Sequence, residues 1–221
     1  MNSETGSIPI AITGRGFVPR DKSASFARIV PAAKAEFLKK GFAKASMRSI
    51  AEAAGMTSAG LYRHFADKEA MFASLVEPLL SKLDQVYQTI KERDYELLAA
   101  DQLDEMWASN AEVIYFLDLI YDHFDAFKLL LCCSSGTKYE NFIHDFVVLE
   151  QKETLQFMEA ARKCGVPVRT VDERELHLLL SAYSTALFEV VVHDFTKEEA
   201  AHYLTTLRQF FYPGWRTVLG L

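Results

Sequence analysis

The stretch Ser46-Met-Arg-Ser-Ile-Ala-Glu-Ala-Ala-Gly55-Met-Thr-Ser-Ala-Gly-Leu-Tyr-Arg-His-Phe65 decides how the first part of this chain folds. Its pattern predicts two short helices that cross at a tight turn. Ala51 is small where one helix crosses the other, and Gly55 can take the positive φ that the turn requires. Three apolar residues are expected to pack between the helices: Ile50, Met56 and Leu61. These features together predict a helix-turn-helix.

The second helix of this stretch is predicted to begin at Thr57, whose hydroxyl can cap it. Its outward residues are small or polar: Ser58, Ala59, Gly60, Tyr62 and Arg63. Small residues at the start of a helix let its backbone approach base edges in a major groove, while the free amides there favour phosphate. The sequence therefore predicts double-stranded DNA as a partner.

Residues 26–72 resemble the DNA-binding domain of the tetracycline-repressor (TetR) family. The resemblance is carried by Arg28-Ile-Val, Ala33, Phe37, Gly41-Phe42, Ser46-Met, Ile50-Ala51, Ala54-Gly55-Met-Thr, Gly60-Leu-Tyr-Arg-His-Phe65 and Lys68-Glu69. It implies three short helices, of which the third is the recognition helix. It also implies a fourth helix that leads into a divergent, dimerising domain for a small-molecule effector.

The resemblance further implies which residues contact DNA. Those expected on the DNA backbone are Ser46, Thr57, Tyr62, His64 and Lys68, and those expected to face bases are Arg48, Ser58, Ala59 and Gly60. Met47 stands where the family often has Thr, so no backbone contact is expected there. Arg48 could read guanine or could contact phosphate instead. Tyr62 and His64 could alternatively be packing residues at a helix crossing.

Charge divides the chain unevenly, although the formal net charge is −6. Residues 1–70 hold eleven Lys and Arg against six Asp and Glu, whereas the rest holds thirteen against twenty-four. A basic module that meets an anion, followed by an acidic body, explains this asymmetry. We therefore predict an N-terminal arm over 1–24, carrying Arg15, Arg20 and Lys22, a DNA-binding domain over 25–70 and a helical domain over 71–221.

Beyond the motif, apolar residues recur at three- and four-residue intervals, which predicts an all-α fold. The predicted helices are 68–90, 95–107, 110–121, 124–133, 138–164, 173–194 and 197–211. Helix starts are indicated by Asp67, by Thr137 with Glu140, by Asp172 with Glu175 and by Thr196 with Glu199. Pro78 is expected to kink the first of these helices without ending it.

The helical domain is rich in aromatic residues, most of which are expected in its core. Six of them are candidates for an effector site: Trp107, Phe116, Tyr121, Phe127, Phe146 and Tyr183. One hypothesis is a repressor released from a palindromic operator by a small apolar or aromatic effector. The other is a DNA-organising or protein-interacting protein with a filled core and no effector.

A two-fold operator requires a dimer, and helices 173–194 and 197–211 are predicted to form it. On the first of them Leu178, Ala182 and Ala186 make a narrow stripe of mostly small residues that permits close approach of a partner helix. A broader stripe on the same helix is expected in the core of the protomer: Leu176, Leu179, Leu180, Tyr183, Leu187 and Val190.

Other classes of protein are disfavoured by what the sequence does not contain. No catalytic constellation, metal-ligand spacing or cofactor motif is visible, so we expect neither an enzyme nor a metal site. The adjacent Cys132 and Cys133 could sense oxidants, but apolar neighbours favour burial instead. No apolar run approaches the ~20 residues of a membrane span, and no signal peptide is visible. We therefore expect a cytoplasmic protein.

Overall fold

A computed structural model describes the backbone of residues 23–109 and 111–221, and the side chains of residues 25–109 and 113–221. Within these ranges the chain is all-α, as predicted, and contains no strand. Its helices are α1 (Ser23–Lys44), α2 (Met47–Ala53), α3 (Ser58–Tyr62), α4 (Lys68–Ala99), α5 (Leu103–Ala108), α6 (Ala111–Asp122), α7 (Phe124–Cys132), α8 (Phe142–Lys163), α9 (Glu173–Val192) and α10 (Lys197–Leu219). Nearly all of the predicted arm lies outside the described residues.

These helices form two compact units. The first contains α1 to α3, α4 as far as Lys82, and α7 with the turn that follows it to Glu140. The second contains the rest of α4 together with α5, α6, α8, α9 and α10. Residues 123–140 therefore cluster with the N-terminal helices, and the division into units does not coincide with the domain boundary predicted at residue 70.

The core of the first unit is built around aromatic side chains of α1 and α4. The ring of Phe37 lies 6.0 Å from that of Phe42 and 5.2 Å from that of Phe72, in stacked and edge-on arrangements respectively. Gly41 interrupts α1 with a φ of 70°, which turns the chain towards α2. The next amide, of Phe42, donates to the carbonyl of Cys133 at the end of α7. The aromatic cluster ties α1 to α4, and this bond ties it to the end of α7.

The second unit is built on the packing of α9 against α8 and α10, and of α6 against α10. One core cluster in it consists of Val147, Met158, Leu176, Leu180, Trp215 and Leu219. Two predicted helix starts are confirmed here. The carboxylate of Asp172 accepts from two amides at the start of α9, and Thr196 with Glu199 forms the predicted capping box of α10.

Three predictions about helix ends are wrong. α4 does not break near residue 91 but continues to Ala99, beyond which Asp101 takes a positive φ of 58°. α10 does not end at residue 211 but passes through Pro213 and ends at Leu219. Thr137 does not cap α8, because its hydroxyl donates to the carbonyl of Ser134 and α8 begins at Phe142. The prediction that α4 continues past Pro78 is confirmed.

The expectation that no segment is long and apolar enough to cross a membrane is wrong for α9, which meets that criterion by length and composition. It has 20 residues and a mean hydropathy of 1.3 over its most apolar window. Leu176, Leu180 and Phe188 on this helix are buried in the second unit, and core helices meet the same criterion of length and composition. The packing of α9 accounts for these buried apolar residues without a bilayer.

Candidate nucleic-acid interface and internal cavity

The predicted helix-turn-helix is formed by α2, a tight turn and α3. Gly55 takes a φ of 67° in this turn, as predicted, and the amide of Met56 donates to the carbonyl of Ala51, 2.9 Å away. The hydroxyl of Thr57 caps α3 by accepting from the amide of Gly60 at 3.1 Å. Each bond lies within a few residues of the turn, so the local sequence determines the crossing of the two helices.

Packing fixes the same two helices from the inside. Ile50, Ala51 and Leu61 are buried, as predicted, whereas Met56 is only half-buried. Glycine at position 60 also has a steric explanation, because a Cβ there would lie 3.3 Å from the capping hydroxyl of Thr57. A larger residue at position 60 would therefore disturb the start of α3.

The outer surface of α2 and α3 is open to solvent. The side chain of Arg48 is 83% exposed and Tyr62 is 52% exposed. Ala59 and Arg63 are exposed, and Ser58 is half-buried. The guanidinium of Arg48 pairs with Glu52 at 3.0 Å, but an exposed pair of this kind contributes only ~0–1 kcal/mol. Arg48 can therefore exchange Glu52 for another anion at little cost.

Four of the residues expected on a DNA backbone already have partners within the protein, including Thr57, which accepts from the Gly60 amide. The ammonium of Lys68 donates to the carbonyls of Phe42, Ala43 and Ala45 and lies 4.4 Å from the ring centre of Phe42. Lys68 thus ties the start of α4 to the end of α1. The hydroxyl of Ser46 caps α2. The half-buried ring of His64 lies edge-on to that of Phe26, 6.0 Å away. DNA contacts by these residues stay predictions.

A carboxylate beneath α2 holds this surface in position. Glu36 on α1 accepts from the ammonium of Lys40 at 2.8 Å and from the amide of Ser46 at 3.1 Å. The bond from Lys40 is the largest of the effects that hold the pKa of Glu36 below its ordinary value, while burial opposes the shift and the Ser46 amide assists it. The start of α2 is therefore anchored by an ionised side chain.

The second unit contains two adjoining cavities of about 180 and 170 Å³. Both are lined by residues from α4, α5, α8 and α10, and they share Ile90, Asp94, Met106, Trp107, Glu150, Thr154 and Leu219. Each is smaller than the ~300–1,000 Å³ of pockets for drug-sized ligands. A ligand of this region is therefore small or extends through both cavities.

The larger cavity has aromatic walls and a buried ion pair. The carboxylate of Glu153 is only 7% exposed, and Oε2 lies 2.5 Å from the ammonium of Lys91. Burial raises the pKa of the nearby Tyr95 phenol, the Lys91 ammonium lowers it and the Glu153 carboxylate raises it. The ring of Tyr95 in turn packs edge-on against Phe157. Charged and aromatic groups thus line the same cavity.

The six aromatic candidates for an effector site are not brought together. Trp107 and Phe116 line the larger cavity, and Trp107 and Tyr183 line the smaller one. The hydroxyl of Tyr121 donates to the carbonyl of Phe195, and Phe146 packs against Phe142 and Phe188. Phe127 is fully buried in the first unit. None of these last three lines either cavity.

Sequence reasoning missed the polar residues of the cavity, above all Glu153. The spacing of apolar residues in α8 could have indicated it. Phe142, Phe146 and Leu149 are buried at intervals of four and three residues, which defines the buried face of the helix. Glu153 follows Leu149 by four and so falls on the same buried face. A carboxylate in register with an apolar face is either paired or placed for a ligand.

The surface predicted for dimerisation contains exposed apolar side chains. Leu178 on α9 is 68% exposed and Phe210 on α10 is 77% exposed. Ala182 is exposed and Ala186 half-buried. Leu179, expected in the core, is instead partly exposed. Together these residues make an apolar surface on the two helices that the sequence assigned to a partner.

The two adjacent cysteines differ in environment. Cys133 is buried, and burial raises the pKa of its thiol, whereas Cys132 is exposed. A raised pKa lowers the fraction of reactive thiolate, so the environment of Cys133 favours the structural interpretation for that residue. Among the described side chains, no three His, Cys, Asp or Glu are grouped to hold a metal ion.

Comparison with known sequences gives a match confined to the N-terminal part of the chain. The model of bacterial regulatory proteins of the tetR family matches residues 29–75. Two regulators of Pseudomonas putida, the probable HTH-type transcriptional regulator ArpR and the HTH-type transcriptional regulator TtgR, are each 35% identical over 80 residues. These alignments cover 36% of this chain and 33% of each relative. The chain thus matches about a third of the length of these curated relatives.

Solved structures extend the likeness to the fold of most of the chain. NalD, the secondary repressor of the MexAB-OprM multidrug efflux pump in Pseudomonas aeruginosa, is 22% identical with a TM-score of 0.55, over 86% of this chain and 97% of that one. The fatty acid degradation regulator FadR from Bacillus halodurans is 15% identical with a TM-score of 0.53, over 86% and 98%. At these identities the likeness shows the fold alone.

Proposed function

We propose that this chain, which belongs to the TetR family of bacterial transcriptional regulators, is a cytoplasmic, dimeric repressor that a small molecule releases from a palindromic operator. The proposal has three parts: a DNA-binding face on α2 and α3, a ligand cavity in the second unit, and a dimer surface on α9 and α10. Each part rests on its own group of residues.

The open surface of α2 and α3 is the observation that carries the DNA-binding part. Small residues at the start of α3 allow the backbone to approach base edges, and Thr57 and Gly60 fix the position of that helix. Arg48 is exposed beside it with a guanidinium that can bond bidentately to guanine. Tyr62 is exposed on α3, where its hydroxyl can reach phosphate. The names of both curated relatives, which are transcriptional regulators, agree with this assignment.

The cavities support release by a ligand. α4 contributes Tyr87, Ile90 and Lys91 to the larger cavity, and its residues up to Lys82 belong to the unit that contains α2 and α3. A ligand shifts an equilibrium only as far as its affinity differs between the two states. A ligand that binds against α4 can have different affinities for the two states, because a movement of α4 changes the wall of the cavity.

The exposed apolar surface of α9 and α10 supports the dimer. An operator with two half-sites matches a protein with a two-fold axis, in which the same surface is used by both copies. Leu178 and Phe210 are large apolar residues left open to solvent, and contact with a second copy would remove them from water.

The alternative function, a DNA-organising or protein-interacting protein without an effector, requires a filled helical core. The second unit instead contains two cavities with buried polar groups in their walls. The effector-responsive repressor is therefore better supported.

Selection from a randomised 30-base-pair duplex library tests the proposed function. We expect the purified full chain to enrich one sequence composed of two inverted half-sites about 10 base pairs apart, or a multiple of that spacing. Enrichment of a site without two-fold symmetry would contradict the dimeric operator. A library that stays unchanged after repeated rounds would contradict sequence-specific DNA binding altogether.

A further inference from the structure

We propose that the cavity of the second unit takes an organic cation, namely a small aromatic molecule whose protonated amine reaches the carboxylate of Glu153. This inference rests on the proposed function, because it assumes that the cavity holds a ligand. It goes further by specifying the charge of that ligand and the residue that recognises it.

The first observation is that Glu153 is buried with incomplete partners. Its side chain is 93% buried, given a relative exposure of 7%, and it lines the larger cavity. Oε2 lies 2.5 Å from the ammonium of Lys91, whereas Oε1 has no hydrogen-bond partner among the described residues. A buried carboxylate normally accepts several hydrogen bonds. Glu153 therefore retains acceptor capacity that a ligand's N–H groups can fill.

The second observation is the balance of charge around the cavity. The walls of the larger cavity contain three carboxylates, from Asp94, Glu150 and Glu153, against the single ammonium of Lys91. An anionic ligand would meet like charges here, at a cost that grows in a poorly solvated space. A cation would instead meet these carboxylates with opposite charge, above all that of the buried Glu153.

The third observation is the aromatic part of the wall. Tyr95, Trp107 and Phe157 line the same cavity as Glu153. Aromatic faces attract cations and also bury the flat rings of a ligand. The indole N–H of Trp107 is a buried donor without a partner among the described residues, so it can also donate to an acceptor atom of the ligand. The cavity therefore suits a molecule that is both aromatic and positively charged.

Three probes of matched shape separate the possible charges: 1-naphthylmethylamine as the cation, 1-naphthylmethanol as the neutral analogue and 1-naphthylacetate as the anion. Isothermal titration calorimetry on the full chain at neutral pH gives the Kd of each. We expect the amine to bind at least about tenfold more tightly than the alcohol, since hydrogen bonds to a charged group are the stronger ones. The acid is expected to bind most weakly.

Two variants assign the preference to Glu153. Glu153→Gln keeps the shape of the side chain and removes its charge, so the advantage of the amine over the alcohol should disappear. Lys91→Met removes the resident cation, so the amine should bind more tightly than it does to the unmodified chain. The matched control is Glu159→Gln on the same helix, because Glu159 is exposed and pairs with Arg162. This control should leave all three constants unchanged, and circular dichroism checks the fold of every variant.

The outcomes separate this inference from the proposed function. Tighter binding of the alcohol or the acid, or an amine preference that survives Glu153→Gln, would overturn the cation inference while leaving a ligand-binding cavity. A weaker amine complex with Lys91→Met would also overturn it. Failure of all three probes to bind the folded chain would overturn it as well. The duplex selection does not involve the cavity, so it judges DNA binding independently of each of these results.

Discussion

The two units of this chain use their interiors in different ways. The first unit fills its core with Phe37, Phe72 and Leu61, which are fully buried. The second unit contains two cavities and places the Glu153 carboxylate in the wall of one of them. A filled core holds α2 and α3 in a fixed geometry, whereas a core with open space can respond to a small molecule. Filled core and open space are thus found in different parts of one chain.

Charge is also distributed unevenly along the chain, although its division at residue 70 does not follow the boundary between the units. Residues 1–70 have eleven Lys and Arg against six Asp and Glu, and residues 71–221 have thirteen against twenty-four. The net charge of −6 is therefore the sum of a basic N-terminal region and an acidic remainder of the chain. Charge is informative about a nucleic-acid partner only when it is counted over the surface that meets the phosphates.

The largest effect is expected on the proposed dimer surface of the second unit. Leu178→Glu combined with Phe210→Glu should convert the dimer into monomers, because four carboxylates would be buried near the two-fold axis without partners. The matched control is Ile114→Glu combined with Tyr115→Glu, which changes two exposed apolar residues of α6. Sedimentation velocity at micromolar concentration measures the result. If the variant with Leu178→Glu and Phe210→Glu still sediments as a dimer, this surface is not the interface.

A pair of Phe→Ala substitutions compares the two interiors directly. Phe37→Ala should lower the free energy of unfolding by about 3–5 kcal/mol, because it leaves a cavity in a filled core. Phe157→Ala should lower it clearly less, since Phe157 is only half-buried and already lines a cavity. Chemical denaturation followed by circular dichroism, at one fixed protein concentration, gives both values. Equal losses would remove the distinction between a filled and an open interior.

The smallest effect concerns the anchor of α2 and depends on pH. The pKa of Glu36 is lowered from 4.5 in the folded protein, so its contribution to stability is present above about that pH and is lost as the pH falls through the folded value. Glu36→Gln should therefore destabilise the chain by up to about 1 kcal/mol at pH 7. The difference from the unmodified chain should shrink in acid.

Denaturant titrations at pH 7 and at pH 3.5 measure this difference. The control is Glu52→Gln, which changes an exposed carboxylate that pairs with Arg48 and should alter stability less at pH 7. A Glu36→Gln difference that grows in acid would contradict the assigned sign of the pKa shift.

The first unit could be predicted well from the sequence because its determinants are local. The positive φ of Gly55 and the cap formed by Thr57 involve residues within one turn of helix, and Ile50 and Leu61 are buried on the two adjacent short helices. Local geometry of this kind is encoded in residue type and spacing. The partners of Lys68 were not predictable, because its ammonium reaches carbonyls 23 to 26 residues away along the chain.

The second unit could be predicted only in part. Thr196 and Glu199 form a capping box, whereas Thr137 and Glu140 have the same spacing and do not, because Glu140 accepts from the amide of Gly136 instead. The sequence predicts a break near residue 91, yet Lys91 pairs with Glu153 inside the unit and α4 continues through this position. A competing local hydrogen bond overrides the signal at Thr137, and a tertiary contact overrides the one near residue 91.

The central claim is that the exposed face of α2 and α3 binds DNA. Fluorescence anisotropy with the selected duplex, at one fixed salt concentration because phosphate binding depends on salt, tests it with Arg48→Ala and Tyr62→Ala. The control is Lys163→Ala, which removes a positive charge from the exposed end of α8. Our account predicts that Arg48→Ala weakens binding by about 1–3 kcal/mol, that Tyr62→Ala also weakens it, and that the control binds normally. Unchanged affinity in both Arg48→Ala and Tyr62→Ala, with the fold intact, would contradict it.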